Sequence, residues 1–170
     1  MKKLAGAVLA LVFSCSMLAQ APGESRIARE VTHELRMLPY YTVFDNLAFR
    51  LDGNTVTLLG QVTNPTLKSD AAGVVKHIEG VEAVRNDIEV LPVSPMDWQI
   101  RRAVFAAIYR QPGFERYGFQ AQPSIHIIVK NGHVTLVGVV DNQADKERAN
   151  LAANSVPNVF SVDNELRVEK

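Results

Sequence analysis

The chain has a single cysteine, no net charge and no apolar run long enough to span a membrane, and each absence excludes a class of protein. Cys15 has no partner in the chain, so an intramolecular disulfide is excluded. The 18 basic and 18 acidic residues give a formal net charge of zero, which argues against a nucleic-acid binder held by bulk charge. The apolar run at residues 4–13 is too short to cross a bilayer, and no later run is longer.

Patterns that mark catalytic and metal sites are missing as well. The histidines are not spaced as metal ligands, since His133 faces Lys130 rather than His126 across the predicted hairpin. No serine stands in a G-x-S-x-G turn, and no glycine-rich phosphate loop occurs. We therefore predict a protein that is not an enzyme and that uses no metal or cofactor.

The first 21 residues have the composition of a secretory signal peptide. A basic start at residues 1–3 precedes the apolar run, and Ala19-Gln20-Ala21 has the A-x-A form of a signal-peptidase site. We therefore expect residues 1–21 to be removed and the mature chain to be exported.

A second processing route remains open. Leu11-Val12-Phe13-Ser14-Cys15 is a loose match to a lipobox, which would make Cys15 a lipidated N-terminus. Phe13 is unusual in such a motif, whereas Pro22 directly after Ala21 is unfavourable for signal peptidase. The sequence thus predicts export and leaves lipid anchoring at Cys15 as an alternative.

Most of the remaining chain is an internal repeat. Residues 47–90 align without a gap on residues 125–168, at the constant offset that separates Gly60 from Gly138. A repeat of this length indicates two copies of one small domain, each of roughly 70 residues. We expect a first domain at 24–91, a proline-containing linker at 92–95 and a second domain at 96–170.

Hydrophobic periodicity predicts the same element order in both copies: helix, strand, strand, helix, strand. The predicted elements are residues 25–38, 47–51, 56–62, 66–78 and 84–90 in the first copy, and residues 96–110, 125–129, 134–140, 144–155 and 160–168 in the second. The second copy has five additional residues between Gln111 and Pro123. The fold class is therefore α+β, with two tandem αββαβ domains, each a three-stranded mixed sheet with two helices packed on one face.

The ordered motifs resemble the BON domain. In the first copy the match lies in Val56–Val62 and Gly80–Val90, and in the second copy in Val134–Val140 and Val159–Val168, where Asn158 replaces the usual glycine. The resemblance implies exported, non-enzymatic modules that bind phospholipid and support envelope integrity under stress. It also implies that the mature chain is periplasmic, in a diderm bacterium.

The clearest difference between the copies lies in their first helices. With Ile100, Val104 and Ile108 directed toward the core, three aromatic residues fall together on another side of the second-copy helix. The equivalent face of the first copy carries ordinary polar residues, including Thr32 and Arg36. The candidate binding residues are Trp98, Arg101, Arg102, Phe105 and Tyr109.

Two explanations of this aromatic face remain open. Aromatic rings beside arginines suit the interface of an anionic phospholipid membrane. Alternatively, protein covers the rings: the first domain, the inserted segment with Phe114, Tyr117 and Phe119, an envelope protein or a second copy of the chain. The outer face of the second sheet is also apolar, which favours an interface between the domains on at least one of these faces. The sequence predicts no oligomeric state.

Overall fold

The computed structural model describes residues 22–118 and 123–169, so the predicted signal peptide, Cys15 and Phe119 lie outside the described residues. The first domain comprises α1 (Pro22–Arg36), β1 (Asn46–Asp52), β2 (Thr55–Val62), α2 (Pro65–Lys76), β3 (Ala83–Asn86) and β4 (Glu89–Val90). The second comprises α3 (Pro95–Tyr109), α4 (Glu115–Gly118), β5 (Ile125–Lys130), β6 (His133–Val140), α5 (Gln143–Asn154) and β7 (Ser161–Val168). The predicted element order is confirmed, with helix α4 added in the inserted segment.

Each domain has a mixed sheet with β2 or β6 at its centre. An antiparallel hairpin joins β1 to β2 and β5 to β6, while β3, β4 and β7 run parallel to the central strands. The predicted third strand of the first domain is interrupted at residues 87–88. Asp87 still donates its N–H to the carbonyl of Leu58 at 2.9 Å, so the interruption is local.

The helices pack their apolar stripes on one face of each sheet. In the first domain, Ile27, Val31 and Leu35 of α1 are buried in one core with residues of α2 and β2. In the second domain, Ile100, Val104 and Ile108 of α3 occupy the equivalent positions in a separate core. The i, i+4 spacing in the sequence therefore identifies the core-facing side of both helices.

An asparagine in the third strand of each domain anchors the second helix. Asn86 donates to the carbonyl of Lys68 at 2.6 Å, and Asn164 donates to the carbonyl of Lys146 at 2.8 Å. Each side chain also accepts an N–H from the residue two positions ahead. The repeat has thus retained a polar contact that fixes the position of helix against strand, and not only its hydrophobic pattern.

The segment at residues 37–45, which we term the connector, joins α1 to β1 and contacts the second domain. Val43 is buried in the second domain's core, and its carbonyl accepts the N–H of Ile127 on the free edge of β5 at 2.8 Å. Tyr41 stacks on His126 with a ring-centroid distance of 5.4 Å. Burial lowers the pKa of His126, which favours the neutral ring for this packing.

The inserted segment folds against the start of α5 through Asp145. This buried carboxylate accepts from Tyr117 Oη at 2.7 Å, Asn142 Nδ2 at 3.0 Å and Arg148 Nη1 at 3.3 Å, and it pairs with Arg116. The residue at the equivalent position of the first domain is the buried Leu67. A polar network therefore replaces an apolar contact where the second domain carries its insertion.

Replacing Asp145 with asparagine should destabilise the protein by about 2 kcal/mol at neutral pH, because it removes a buried charged acceptor. Burial alone would raise the pKa of Asp145, but the Tyr117 hydroxyl, Arg116, Asn142 and Arg148 outweigh it, so the pKa is lowered. A lowered pKa contributes stability above the unfolded-state value of about 4, and this contribution is lost as the pH falls through the folded-state value.

Urea unfolding of wild type and Asp145→Asn at neutral and acid pH tests this expectation. The difference in the free energy of unfolding should shrink in acid. The exposed Asp163 supplies a control, since Asp163→Asn should change stability little at either pH. An equal difference between Asp145→Asn and wild type at both pH values would contradict a role for the ionised carboxylate.

Candidate functional site

Helix α3, which carries the candidate residues, has a well-defined start. Ser94 is its N-cap, and the Ser94 hydroxyl accepts the N–H of Asp97 at 3.1 Å. Pro95 stands in the first turn, where its missing N–H is harmless. These local signals set the register of the helix, and the buried stripe then determines which residues face away from the core.

The structure divides the five predicted residues of α3 into two groups. Trp98 and Phe105 retain 47% and 38% of their surface exposed, and Arg102 is exposed. Their i, i+4 and i, i+3 spacing places these three residues side by side. Tyr109 is half-buried and donates its hydroxyl to the carbonyl of Ile125 at 2.7 Å, and Arg101 is buried with 4% exposure.

Arg101 holds the helix to the sheet and does not face solvent. Its Nη2 donates to the carbonyl of Val129 at 2.6 Å. Burial lowers the pKa of Arg101, while the negative charges of Asp97 and Asp45 act in the opposite direction. The guanidinium therefore compensates two buried carboxylates at the junction of the domains, one from each side.

Asp97 is a structural residue that no sequence pattern singles out. Its carboxylate is fully buried and accepts the N–H groups of Asn131 and Gly132 at 2.9 and 2.8 Å. These are the two turn residues of the β5–β6 hairpin. The turn itself is evident from Asn131-Gly132, but no local signal links it to a residue 34 positions earlier.

The first domain covers part of the aromatic face through Phe44 of the connector. The Phe44 ring lies edge-on to Trp98 and to Phe105, with centroid distances of 5.5 and 6.2 Å, and Phe105 lies 4.7 Å from Tyr109. We term these four side chains the aromatic row. Helix periodicity could not have identified Phe44, because it lies in an irregular segment.

The aromatic residues of the inserted segment that the structure describes lie in the core and not on this face. Phe114 and Tyr117 are buried in the core of the second domain. Arg148 lies over the Phe114 ring, with its guanidinium carbon 4.8 Å from the centroid. Among residues 22–118 and 123–169, the ring that contacts Trp98 is Phe44, which belongs to the first domain.

The histidines have separate partners. His133 Nδ1 lies 2.8 Å from the Ser161 hydroxyl, whereas His126 stacks on Tyr41. Over residues 22–118 and 123–169, no group of three or more metal-ligating side chains is close enough to hold an ion. In the same part of the chain, no helix combines the length and apolarity needed to span a bilayer.

A cleft of about 860 Å³ lies between the domains. Its walls include Ser124, His126 and Asp141, residue types found in nucleophilic triads. Ser124 Oγ and His126 Nδ1 are both buried, and neither has a hydrogen-bond partner among the described residues. These two groups are therefore not paired as nucleophile and base.

Comparison with known proteins places the chain in a family. The BON domain model matches residues 51–92 and 97–170. The chain is 29% identical over 127 residues to osmotically-inducible protein Y of Escherichia coli, a match covering 73% of this chain and 62% of that protein. It is 24% identical to the outer membrane lipoprotein DolP of Haemophilus influenzae, over 100% of this chain and 96% of the lipoprotein.

A solved structure, the C-terminal domain of the Chlamydia trachomatis type III secretion protein CdsD, shares 14% identity with a TM-score of 0.33. That alignment covers 84% of this chain and 96% of the CdsD chain. One match to the family model falls in each copy of the internal repeat, the first beginning at residue 51 within β1 and the second at residue 97 within α3. The chain belongs to the BON domain family.

Proposed function

We propose that this chain is a non-catalytic protein of the bacterial cell envelope that binds anionic phospholipid membranes through Trp98, Arg102 and Phe105 of α3. The observation that carries this proposal is the adjacency of Trp98, Arg102 and Phe105, all exposed on one side of α3. Arg101 is left out of the proposed contact because its guanidinium is buried and hydrogen-bonded to β5.

The chemistry of these three side chains suits the headgroup region of a bilayer. Indole and phenyl rings are favoured at the boundary between headgroups and acyl chains, and a guanidinium pairs with lipid phosphate. Each arginine near an anionic surface contributes about 1 kcal/mol. Residues 95–170 carry nine basic and eight acidic side chains, against seven and ten in residues 24–94, so attraction to anionic lipid favours the second domain.

The named relatives support an envelope location and a role in stress tolerance. One is called osmotically inducible and the other an outer membrane lipoprotein. By analogy, the chain is exported to the periplasm and either released after residue 21 or anchored at Cys15. Mass spectrometry of the mature N-terminus distinguishes the two products, since acylation adds the mass of the lipid to a chain that begins at Cys15.

Vesicle flotation of the double variant Trp98→Ala, Arg102→Glu tests the proposed membrane contact. The wild type should float with vesicles of equal parts phosphatidylcholine and phosphatidylglycerol, and much less with phosphatidylcholine alone. Loss of one ring and reversal of one charge should weaken binding by at least about tenfold. Added salt should weaken wild-type binding, because part of the attraction is electrostatic.

A matched control alters the same residue types away from α3. Phe160 is 66% exposed and Arg167 is exposed, both in the second domain. Phe160→Ala, Arg167→Glu should therefore float like the wild type. The proposal is wrong if the wild type does not bind phosphatidylglycerol vesicles, or if the α3 variant binds as well as the control variant does.

A second candidate function is a protein-interaction adaptor that docks an envelope protein on the same surface. It is favoured by the partial cover of Trp98 and Phe105 by Phe44, because tryptophan and arginine inside a partly desolvated patch are typical of protein-binding hot spots. If the surface serves protein docking alone, the wild type should not float with the vesicles at any phosphatidylglycerol content.

A further inference from the structure

We infer that the membrane-contacting surface is built by both domains, with Phe44 of the first domain entering the lipid headgroup region beside Trp98 and Phe105. The inference rests on the function proposed above and extends it from one helix to a composite surface. Its basis is the row of ring contacts that runs from Trp98 through Phe44 to Phe105.

Phe44 occupies the middle of the aromatic row and not its margin. Its ring is within edge-to-face distance of both Trp98 and Phe105, two residues that are seven positions apart on α3. Phe44 is itself half-buried, so part of its ring remains accessible. Because Phe44 lies between the two α3 rings and is partly accessible, it is placed to meet a flat surface that touches both of them.

The connector holds Phe44 rigidly in this position. Asp45, which is fully buried, accepts hydrogen bonds from the N–H and hydroxyl of Thr42 and from the N–H and hydroxyl of Thr63, at 2.6 to 2.9 Å. On the other side of Phe44, Val43 is bonded to Ile127 of β5. The residues before and after Phe44 are thus tied to different domains, so the ring is fixed relative to both.

This arrangement occurs once in the repeat. At the offset that separates Gly60 from Gly138, Phe44 and Asp45 correspond to Gln122 and Pro123. The first helices precede the five inserted residues, so their offset is smaller by five, and there Trp98 and Phe105 correspond to Ser25 and Thr32. None of the three rings therefore has an aromatic counterpart in the other copy: Phe44 belongs to the first domain alone, and Trp98 and Phe105 belong to the second alone. A single surface built from both copies accounts for this distribution, since each copy carries aromatic residues that the other lacks.

Tryptophan fluorescence tests the inference directly, because Trp98 is the only tryptophan of the chain. Three full-length proteins, each with a single indole, are compared: the wild type, Phe44→Trp in a Trp98→Phe background, and Phe160→Trp in the same background. Trp98→Phe keeps an aromatic ring on α3, and position 160 is the exposed control. Each protein is titrated with the phosphatidylglycerol vesicles and with phosphatidylcholine vesicles.

The expected result is a blue shift of emission on the anionic vesicles for the indoles at positions 98 and 44, and none at position 160. Phe44→Ala should also bind these vesicles about tenfold more weakly than the wild type. A shift at position 98 without a shift at position 44 overturns the composite surface and leaves the proposed function intact. If wild-type emission does not change, the proposed function fails and this inference fails with it.

Discussion

Gly138→Ala is expected to unfold the second domain or to destabilise it by more than about 3 kcal/mol. Gly138 lies inside β6 with φ of +133°, a conformation that side chains rarely adopt. A Cβ at this position would lie 1.9 Å from the backbone carbonyl oxygen of Ser124. Relief requires the β5–β6 hairpin to separate, because the obstacle is backbone and not a flexible side chain.

Gly73 provides the control for this substitution. It lies in α2, and no atom is within 4 Å of the position that an added Cβ would take, so Gly73→Ala should stabilise the first domain by about 0.5–1 kcal/mol. Urea unfolding followed by Trp98 emission reports on the second domain, and circular dichroism reports on both. Wild-type stability in Gly138→Ala would mean that the hairpin backbones do not approach as closely as described.

Arg101→Glu is expected to be the most damaging charge substitution on α3, with a loss of about 4 kcal/mol or more. The new carboxylate would join Asp97 and Asp45, which are both fully buried, and the carbonyl of Val129 would lose its charged donor. Burial leaves no water to screen three like charges, so the repulsion acts at the junction of both domains.

The neighbouring residue gives the matched comparison. Arg102→Glu alters the same charge one position along the same helix, but the side chain is exposed, so stability should change by no more than about 0.5 kcal/mol. Arg102→Glu should instead weaken binding to anionic vesicles. Thermal or urea unfolding of the two variants measures the contrast, and equal stability of both would contradict the buried role of Arg101.

These two arginines illustrate how far helix periodicity extends. The spacing of Ile100, Val104 and Ile108 correctly places the core stripe and so predicts that Trp98 and Phe105 lie together. It places Arg101 and Arg102 as a pair at the seam of the aromatic face. The two side chains differ in burial because of tertiary contacts. The Val129 carbonyl of β5 accepts a hydrogen bond from Arg101, and the carboxylates of Asp97 and Asp45 interact with its charge.

Gly60 and Gly138 show the opposite case, in which comparison of the two copies reveals a structural requirement. They are strand glycines at equivalent positions of the repeat, where glycine permits a bulge or a close approach of chains. A Cβ at Gly60 would meet the backbone carbonyl of Asn46, the first residue of β1, and a Cβ at Gly138 would meet that of Ser124, just before β5. Because both copies need a residue without a Cβ at the same position, the repeated glycine can be recognised from the sequence.

By itself, the sequence determined the duplication, the αββαβ order of each copy, the core stripes and the exceptional aromatic helix, because each depends on local periodicity or on comparison between the copies. Only the tertiary structure decided that Phe44 completes the aromatic row, that Asp45 and Asp97 are buried acceptors, and that Arg101 serves the junction. Those roles arise from contacts between segments far apart in the chain. Their partners share no repeat spacing that a linear pattern could reveal.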